Sequence, residues 1–368
     1  MARVLVIGGY GTFGGEVSRE LVRRGVSITV AGRDQDRAER FAKELSGDSN
    51  AAAVDVQDAA ACEQALSGHG VAVQCAGPFA RFDDTLLQAC LRRRVHYVDL
   101  ADDRDYVAQV RRLGEEFSQR QLTAAFGCSS LPAISGAAAL RALAHATAEV
   151  RHVRVTLFIG NRNPKGRAAV ESASRLLGAT ISAGGILRKA FAEPEIVPLP
   201  APFGCRAARN FDSPDYDLLP GLLRGSVGTE SQPMNTPSVV VKVGCEWELT
   251  NRLFALFTHC APRLGKWLLP RLAVLGSRWM RFGSSGGAVM AELFLSDGSV
   301  SRCAVVAHER GQRMAALPAV YLAERLASGE TCPLGAVTAY EVLGDERLLE
   351  LLAADGCEVV TTDTRHRN

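Results

Sequence analysis

Three glycines near the start of the chain, Gly9, Gly11 and Gly14, have the spacing GxGxxG and directly follow the apolar run RVLVI. Glycine is costly inside regular structure, so this cluster predicts a sharp turn that a ligand approaches closely. In a strand-turn-helix unit, Gly9 permits the turn, Gly11 admits a pyrophosphate, and Gly14 lets the helix pack tightly. The helix N-terminus, with Thr12 and Phe13, is predicted to hold the phosphates of a dinucleotide. The alternative is a glycine-rich turn that holds no ligand.

The end of the second apolar run, in SITVAGRD, indicates which dinucleotide binds. An NAD site usually has an acidic residue there, which accepts hydrogen bonds from the ribose 2′-hydroxyl. Here Arg33 stands in that region, its guanidinium can pair with a 2′-phosphate, and Gly32 leaves room for it. The sequence therefore predicts NADP. In the alternative, Arg33 is solvated and Asp34 binds the ribose of NAD.

Two further strand ends are expected at the same crevice, because ligands in such sheets bind beyond the carboxyl ends of the strands. The run VDV supplies Asp55, a candidate for the adenine edge, with a helix N-cap as the alternative role. The run QCAGPF supplies Cys75, Ala76 and Gly77, which are small enough to pass beneath the ribose and nicotinamide.

The elements that must position these residues alternate along the first 128 residues. Runs such as RVLVIGG and VAVQCAG are typical of buried strands, and segments with helical spacing, such as 12–24, lie between them. This alternation predicts an α/β fold with a Rossmann-type, doubly wound parallel sheet in a domain of residues 1–128.

The pattern changes after residue 128. Long strands are predicted in succession, and AVMAELFLS and VSRCAVVAHE are joined by DGS, which is typical of a hairpin. We therefore predict a second, α+β domain over residues 129–310 with a mixed or antiparallel sheet. The segment 192–237, rich in Pro and Gly, is predicted to form loops. Residues 311–368 are predicted to return to helix and to pack back on the first domain.

The composition of the 368 residues, with 47% hydrophobic and 22% charged side chains, is that of an ordinary globular protein. A formal charge of +2 gives no overall field that would favour nucleic acid as a partner. The ten cysteines are scattered without a CxxC pair, and the histidines show no metal-binding spacing. We therefore expect free thiols, no metal site and, with no room for a signal peptide before the first strand, a cytoplasmic location.

Five motifs within the first 135 residues together resemble the saccharopine dehydrogenase-like oxidoreductases: VLVIGGYGTFG, VAGRD, QCAGPF, HYVDLADD and FGCSSLP. The resemblance implies a Rossmann domain, a substrate domain inserted before a C-terminal return, and NADP(H)-linked hydride transfer. The family's chemistry includes the reduction of imines formed from amines and carbonyls, and some members act on lipid-like substrates. Further along, NPKGRAAVES departs from the GGT-like turn that is frequent in this family, so the resemblance does not identify the substrate.

The motif HYVDLADD supplies the candidate catalytic residues Tyr97, Asp99 and Asp102. A strand with this ending puts a phenol and carboxylates near the nicotinamide end of the crevice. In imine reduction, Tyr97 would manage the nitrogen proton, and Asp99 or Asp102 would hold a cationic substrate. In the alternative, Asp102 or Asp103 caps the next helix and Tyr97 packs in the core.

Two other classes of protein share parts of this pattern. A short-chain dehydrogenase requires a lysine four residues after a tyrosine, and no tyrosine of this chain has one. A non-catalytic sensor that binds NADP(H) and changes partner stays open, because a fold does not establish chemistry. The large second domain favours a substrate pocket.

The stretch 252–282 is basic and apolar. Between Leu249 and Ala291 there is no acidic residue, and the apolar runs are too short and too often charged to span a bilayer. They predict amphipathic helices at a membrane surface or against a lipid-like substrate, with a pair of buried helices as the alternative. A homodimer is also expected. The interrupting residues are the basic Arg252, Arg263, Lys266, Arg271, Arg278 and Arg281 and the aromatic Trp267 and Trp279.

Overall fold

The computed structural model describes residues 1–164, 166–224, 236–276 and 282–364. Its strands are β1 (Val4–Ile7), β2 (Ile28–Gly32), β3 (Ser49–Ala53), β4 (Val71–Gln74), β5 (His96–Asp99), β6 (Thr123–Ala125), β7 (Val150–Ile159), β8 (Thr180–Ala183), β9 (Ile186–Lys189), β10 (Glu195–Pro198), β11 (Cys205–Asn210), β12 (Ser238–Cys245), β13 (Gly287–Leu295), β14 (Val300–Ala307), β15 (Gly335–Val337) and β16 (Glu358–Thr364). Its α-helices are α1 (Thr12–Arg23), α2 (Gln35–Glu44), α3 (Ala59–Leu66), α4 (Thr85–Arg93), α5 (Arg104–Arg112), α6 (Gly114–Gln119), α7 (Ser135–Leu143), α8 (Arg167–Arg175), α9 (Asp215–Arg224), α10 (Glu248–Cys260), α11 (Pro262–Gly276), α12 (Gly311–Ser328), α13 (Ala339–Leu343) and α14 (Asp345–Ala354).

The chain divides into two compact units. The first consists of Met1–Ser129 and Ala315–Gly344, and the second of Ser130–Met314 and Asp345–Asn368. The chain therefore enters the first unit twice, and its second passage begins within α12.

A seven-stranded sheet in the order β15-β6-β5-β4-β1-β2-β3 forms the centre of the first unit. Every neighbouring pair of its strands is parallel. All four residues of β1 are buried, as a strand covered on both faces requires. The strand order reverses between β1 and β4, which is where a doubly wound sheet opens a crevice at the carboxyl ends of its strands. The predicted Rossmann-type sheet is confirmed.

The second unit contains a seven-stranded mixed sheet in the order β10-β11-β12-β7-β13-β14-β16. Strand β7 pairs in parallel with β12 and antiparallel with β13, and β13 and β14 form the predicted antiparallel pair. One face of the sheet is apolar around Phe158, Met290 and Val306, which pack with Phe203. The predicted second domain with a mixed sheet is confirmed.

A buried charge network lies within this second sheet. Glu292 on β13 is fully buried, and its two carboxylate oxygens accept hydrogen bonds from Arg154 Nε at 2.6 Å and Arg302 Nε at 2.7 Å. Arg154 also contacts Glu195 on the edge strand β10. Three adjacent strands are thus tied together by one carboxylate, which makes Glu292 a structural residue.

Two expectations about the second half of the chain are wrong. The segment 192–237 contains β10, β11 and α9. Pro198 does not prevent β10 from forming, because β10 is an edge strand, where a proline without a ladder N–H is tolerated. The C-terminal segment does not all join the first unit. Residues after 344 belong to the second unit, since β16 pairs antiparallel with β14 over Val300–Val306.

Candidate functional site

The turn between β1 and α1 can be built only from small residues. Gly8 has a φ of +76°, a conformation that favours glycine, so the tight turn lies at Gly8 rather than at the predicted Gly9. A Cβ on Gly9 would stand 2.7 Å from the Val6 carbonyl oxygen, and one on Gly14 would stand 2.2 Å from that of Gly8. The glycines therefore let helix and strand approach each other closely.

The N-terminus of α1 is open to an anion. Gly11 is the N-cap and is exposed, no side chain caps the helix, and the first turn carries no acidic residue. Thr12 and Phe13 are half-buried in that turn. The first N–H groups of a helix have no intrahelical acceptor and carry partial positive charge, so this terminus suits a phosphate.

Tyr10 connects the glycine turn to the end of β2. Its hydroxyl oxygen accepts a hydrogen bond from the Asp34 N–H at 3.1 Å, and the Arg37 guanidinium lies 4.8 Å from its ring centroid. A Cβ on Gly32 would stand 2.5 Å from that hydroxyl oxygen. Gly32 thus makes room for the Tyr10 ring, a role that differs from the predicted room for a 2′-phosphate. Arg33 is exposed beside it.

The carboxylate of Asp34 caps a helix. It is the N-cap of α2, and its Oδ1 accepts a hydrogen bond from the Arg37 N–H at 3.0 Å. This bond occupies Oδ1 of the acid that the alternative assigns to the ribose of NAD. The strand end therefore offers Arg33 and Arg37, both exposed, as cations for a 2′-phosphate.

The end of β4 lies against the glycine turn. A Cβ on Gly8 would stand 2.7 Å from the Ala76 nitrogen, and one on Gly14 would stand 3.0 Å from the Cys75 Cβ. Cys75, Ala76 and Gly77 are half-buried. Larger side chains at these places would push the turn and β4 apart.

Asp55 is exposed just beyond β3, and its Oδ1 accepts a hydrogen bond from the Gln57 N–H at 3.1 Å. The alternative role predicted for it belongs to another residue. Asp58 is the N-cap of α3 and accepts hydrogen bonds from the N–H groups of Ala60 and Ala61. Asp55 therefore stays the candidate for the adenine edge.

Tyr97 lies in the core. It is fully buried, its hydroxyl is 2.8 Å from that of Tyr106, and burial holds its pKa well above the usual value. Tyr106 in turn packs on Phe79, with ring centroids 5.2 Å apart. This arrangement contradicts the predicted proton-handling role of Tyr97 and matches the alternative in which it packs.

Asp99 links two of the motifs. Its Oδ1 accepts hydrogen bonds from the N–H groups of Ala101 at 2.9 Å and Gly127 at 2.7 Å, so HYVDLADD is tied to FGCSSLP. Burial raises the pKa of Asp99 to about 6, although these two N–H groups lower it. Among the described residues, neither Asp99 Oδ2 nor the side-chain amide of the neighbouring Gln74 has a hydrogen-bond partner. Because it is fully buried, Asp99 is a positioning residue rather than a predicted substrate ligand.

Asp102 is less buried than Tyr97 and Asp99. It is half-buried, and the loss of surrounding solvent raises its pKa to about 6, with the charge of Asp103 adding to the effect. Asp103, the N-cap of α5, accepts a hydrogen bond from the Tyr106 N–H at 3.0 Å. Of the three predicted catalytic residues, only Asp102 is therefore open to solvent.

Most of the first unit resembles a known NADP-binding domain. Residues 4–125 match the family described as "Saccharopine dehydrogenase NADP binding domain". The predicted resemblance to the saccharopine dehydrogenase-like family is confirmed, and so is NADP as the cofactor. The open helix N-terminus and the two exposed arginines fit that cofactor.

The whole chain has the fold of a known dehydrogenase. It superposes on apo histidine-tagged saccharopine dehydrogenase (L-Glu forming) from Saccharomyces cerevisiae with a TM-score of 0.68 and 13% identity, over 98% of this chain and 100% of the other. A short-chain type dehydrogenase/reductase from Mycobacterium ulcerans is 17% identical, with a TM-score of 0.31. That match covers 34% of this chain and 66% of the other. That partial likeness is too weak to bear on function. No curated protein sequence matches the chain.

Two further properties concern the described residues only. None of their helices is long and apolar enough to cross a membrane. Their His, Cys, Asp and Glu side chains form no group of three or more that could hold a metal ion.

Sequence reasoning missed three residues of this region, Gly8, Tyr10 and Arg37. The sequence did contain a signal for Arg37. It lies in the first turn of α2, four residues after Arg33, a spacing at which both cations can reach the same phosphate. The close contact between Tyr10 and Gly32 joins two separate segments, and local sequence carries no trace of it.

Proposed function

We propose that the chain is an NADP(H)-dependent oxidoreductase that transfers hydride to or from the carbon–nitrogen bond of an imine or amine, in a small or lipid-like substrate. The observation that carries the proposal is the uncapped N-terminus of α1 beside two exposed arginines at the end of β2. The fold of saccharopine dehydrogenase supports the oxidoreductase class. The name of that protein supports chemistry at a carbon–nitrogen bond, since it denotes a dehydrogenase that forms L-Glu.

Different residues of the first unit bind different parts of the cofactor. NADP supplies or accepts the hydride when it is bound. The N–H groups of the first turn of α1 bind its pyrophosphate, and Gly11 lets the backbone approach. Arg33 and Arg37 pair with the 2′-phosphate, and the Tyr10 ring holds Arg37 in place by a cation–π contact.

Asp102 is the candidate group on the substrate side. Its half-buried carboxylate can hold a cationic nitrogen, and a pKa raised to about 6 leaves it ionised above neutral pH. Asp99 positions the two loops around it through the N–H groups of Ala101 and Gly127. A sensor without turnover is the second candidate, and the burial of Tyr97 and Asp99 favours it.

The test is oxidation of NADPH by the full chain with a panel of 2-oxo acids and aldehydes, each mixed with amines, and with enoyl esters. We expect turnover with at least one carbonyl–amine mixture and none with the carbonyl alone. Binding of NADPH without turnover on any of these compounds would favour the sensor. Turnover on enoyl esters alone would contradict the carbon–nitrogen assignment.

A variant pair localises the chemistry. Asp102→Asn should lower kcat about 100-fold, the low end for loss of an acid–base or charge-holding group, with NADPH affinity unchanged. Asp105→Asn, an exposed acid in the first turn of α5, is the matched control and should retain full turnover. Equal kcat values for Asp102→Asn and the wild type would remove Asp102 from the reaction.

A further inference from the structure

Two consecutive helices of the second unit, α10 and α11, direct large apolar side chains toward solvent. On α10, Leu249 and Leu256 are 46% and 55% exposed. On α11, Leu264, Trp267 and Leu272 are 51%, 56% and 48% exposed. Single exposed leucines are ordinary on protein surfaces, but five such residues within 24 positions are not. We refer to these five side chains as the α10–α11 surface.

The inward side of the two helices carries polar, small and apolar side chains. The apolar ones include the buried Leu269 and the half-buried Phe254, whose ring centroid lies 4.7 Å from that of Phe191. Asn251 is buried, and it accepts the Cys245 N–H at 2.9 Å and donates to the Cys245 carbonyl at 3.0 Å. Thr258, seven residues later, is 2% exposed, and a Cβ on the buried Gly265 would stand 2.7 Å from Leu177 and from Phe257. These contacts fix the rotation of both helices. The two helices thus bury part of their apolar surface and leave the five side chains of the α10–α11 surface exposed.

Cations are interleaved with the apolar side chains of α11. Arg263, Lys266 and Arg271 are exposed, and Trp267 lies four residues from both arginines, a spacing that places them on one helix face. The Arg271 guanidinium lies 4.3 Å from the Trp267 ring centroid. No Asp or Glu occurs between Leu249 and Ala291. Glu248, at the start of α10, pairs with Arg252 at 3.4 Å, whereas α11 itself contains no acid that could offset its three cations.

A second aromatic group lies at the start of α10. Trp247 and Phe282 are both exposed, and their rings pack edge to face with centroids 5.4 Å apart. Tryptophan is enriched at the level of lipid headgroups, where an apolar ring with one polar group is favoured. Arg278, Trp279 and Arg281, which also belong to the predicted stretch 252–282, lie outside the described residues.

We propose that the α10–α11 surface docks on an anionic membrane surface. Leucine and tryptophan side chains would enter the boundary between headgroups and acyl chains, while the arginines and the lysine contact anionic headgroups. A second copy of the chain is a poorer occupant, because two such surfaces would bring like charges face to face. The helices, of 13 and 15 residues, are too short to span a bilayer and would lie in the interface.

The test is co-sedimentation of the full chain with two kinds of vesicle, phosphatidylcholine alone and phosphatidylcholine mixed with phosphatidylglycerol, at low and high salt. We expect binding to the mixed vesicles at low salt and release by salt. Arg263→Gln combined with Lys266→Gln should weaken partitioning about 25-fold, because each basic side chain near an anionic surface contributes about fivefold. Leu264→Ser combined with Trp267→Ser, which leaves the charge unchanged, should also weaken partitioning at low salt, where the wild type binds.

Matched controls alter equally exposed residues elsewhere. Lys43→Gln on α2 and Leu334→Ser before β15 should bind like the wild type. Circular dichroism and NADPH affinity verify that every variant is folded. The proposal fails if the wild type does not bind mixed vesicles at low salt or binds pure phosphatidylcholine equally well. The same holds if the two double variants bind mixed vesicles as strongly as the wild type does. It also fails if light scattering shows a dimer that these variants dissociate while vesicles have no effect.

Discussion

The ring of Tyr10 lies so close to Gly32 that a Cβ at position 32 would stand 2.5 Å from the Tyr10 hydroxyl oxygen. The same hydroxyl oxygen accepts a hydrogen bond from the Asp34 N–H, and the Arg37 guanidinium packs over the face of the ring. One side chain therefore couples the glycine turn after β1 to the end of β2. We expect the geometry of the proposed site for the NADP 2′-phosphate to depend on this contact.

Gly32→Ala should weaken NADPH binding about tenfold or more, because the new methyl group displaces Tyr10 and with it Arg37. Titration calorimetry measures the effect. Tyr10→Ala removes the ring with which the new methyl group would clash. Tyr10→Ala should therefore weaken NADPH binding far less in the Gly32→Ala variant than in the wild type. Gly221→Ala is the control, since a Cβ there meets no atom. Unchanged affinity in Gly32→Ala would show that Tyr10 does not organise the site.

Arg33→Ala and Arg37→Ala should each weaken NADPH binding by about 1.5–3 kcal/mol, as expected for a hydrogen bond between charged groups. NADH lacks the 2′-phosphate, so its affinity should change little. Lys43→Ala removes the same charge from the last turn of α2 and should leave both affinities unchanged. Equal losses for NADPH and NADH would contradict a phosphate-reading role.

Asp99→Asn should change how stability depends on pH. The folded-state pKa of Asp99, about 6, lies above the ordinary value of 3.8, so folding favours the protonated carboxyl. The stability that Asp99 contributes is therefore fully present below about pH 4 and lost as pH rises through 6. The free energy of unfolding of the wild type minus that of Asp99→Asn should fall by up to about 3 kcal/mol over this window. Urea titrations at several pH values measure it, and a constant difference would contradict the raised pKa.

Glu292→Gln should destabilise the second unit by about 3–5 kcal/mol, because two arginines lose a fully buried carboxylate partner. Chemical unfolding measures this loss. Glu350→Gln breaks the exposed pair with Arg347 and should cost under about 1 kcal/mol. A comparable small loss for both variants would show that Glu292 does not tie the three strands together.

The sequence determined the features that depend on neighbours along the chain. Alternation of apolar strands with helical spacing gave the parallel sheet, since the periods of 2 and 3.6 residues are local properties. The GxGxxG spacing predicted the glycine turn between β1 and α1, and AGRD at the end of β2 favoured NADP. Both signals are local, because a helix start and the residue after a strand are fixed within a few positions.

The tertiary structure decided which way the side chains point and which distant segments pair. Tyr97 and Asp99 end a strand as predicted, yet packing against Tyr106 and hydrogen bonds from Gly127 bury them and leave Asp102 as the less buried acid. Strand β16 joins the second sheet by pairing with β14. Trp267 points outward because Gly265 and Leu269 of the same helix are buried, Gly265 against the distant Leu177. Each outcome rests on contacts between residues far apart in sequence, whose energies no local pattern contains.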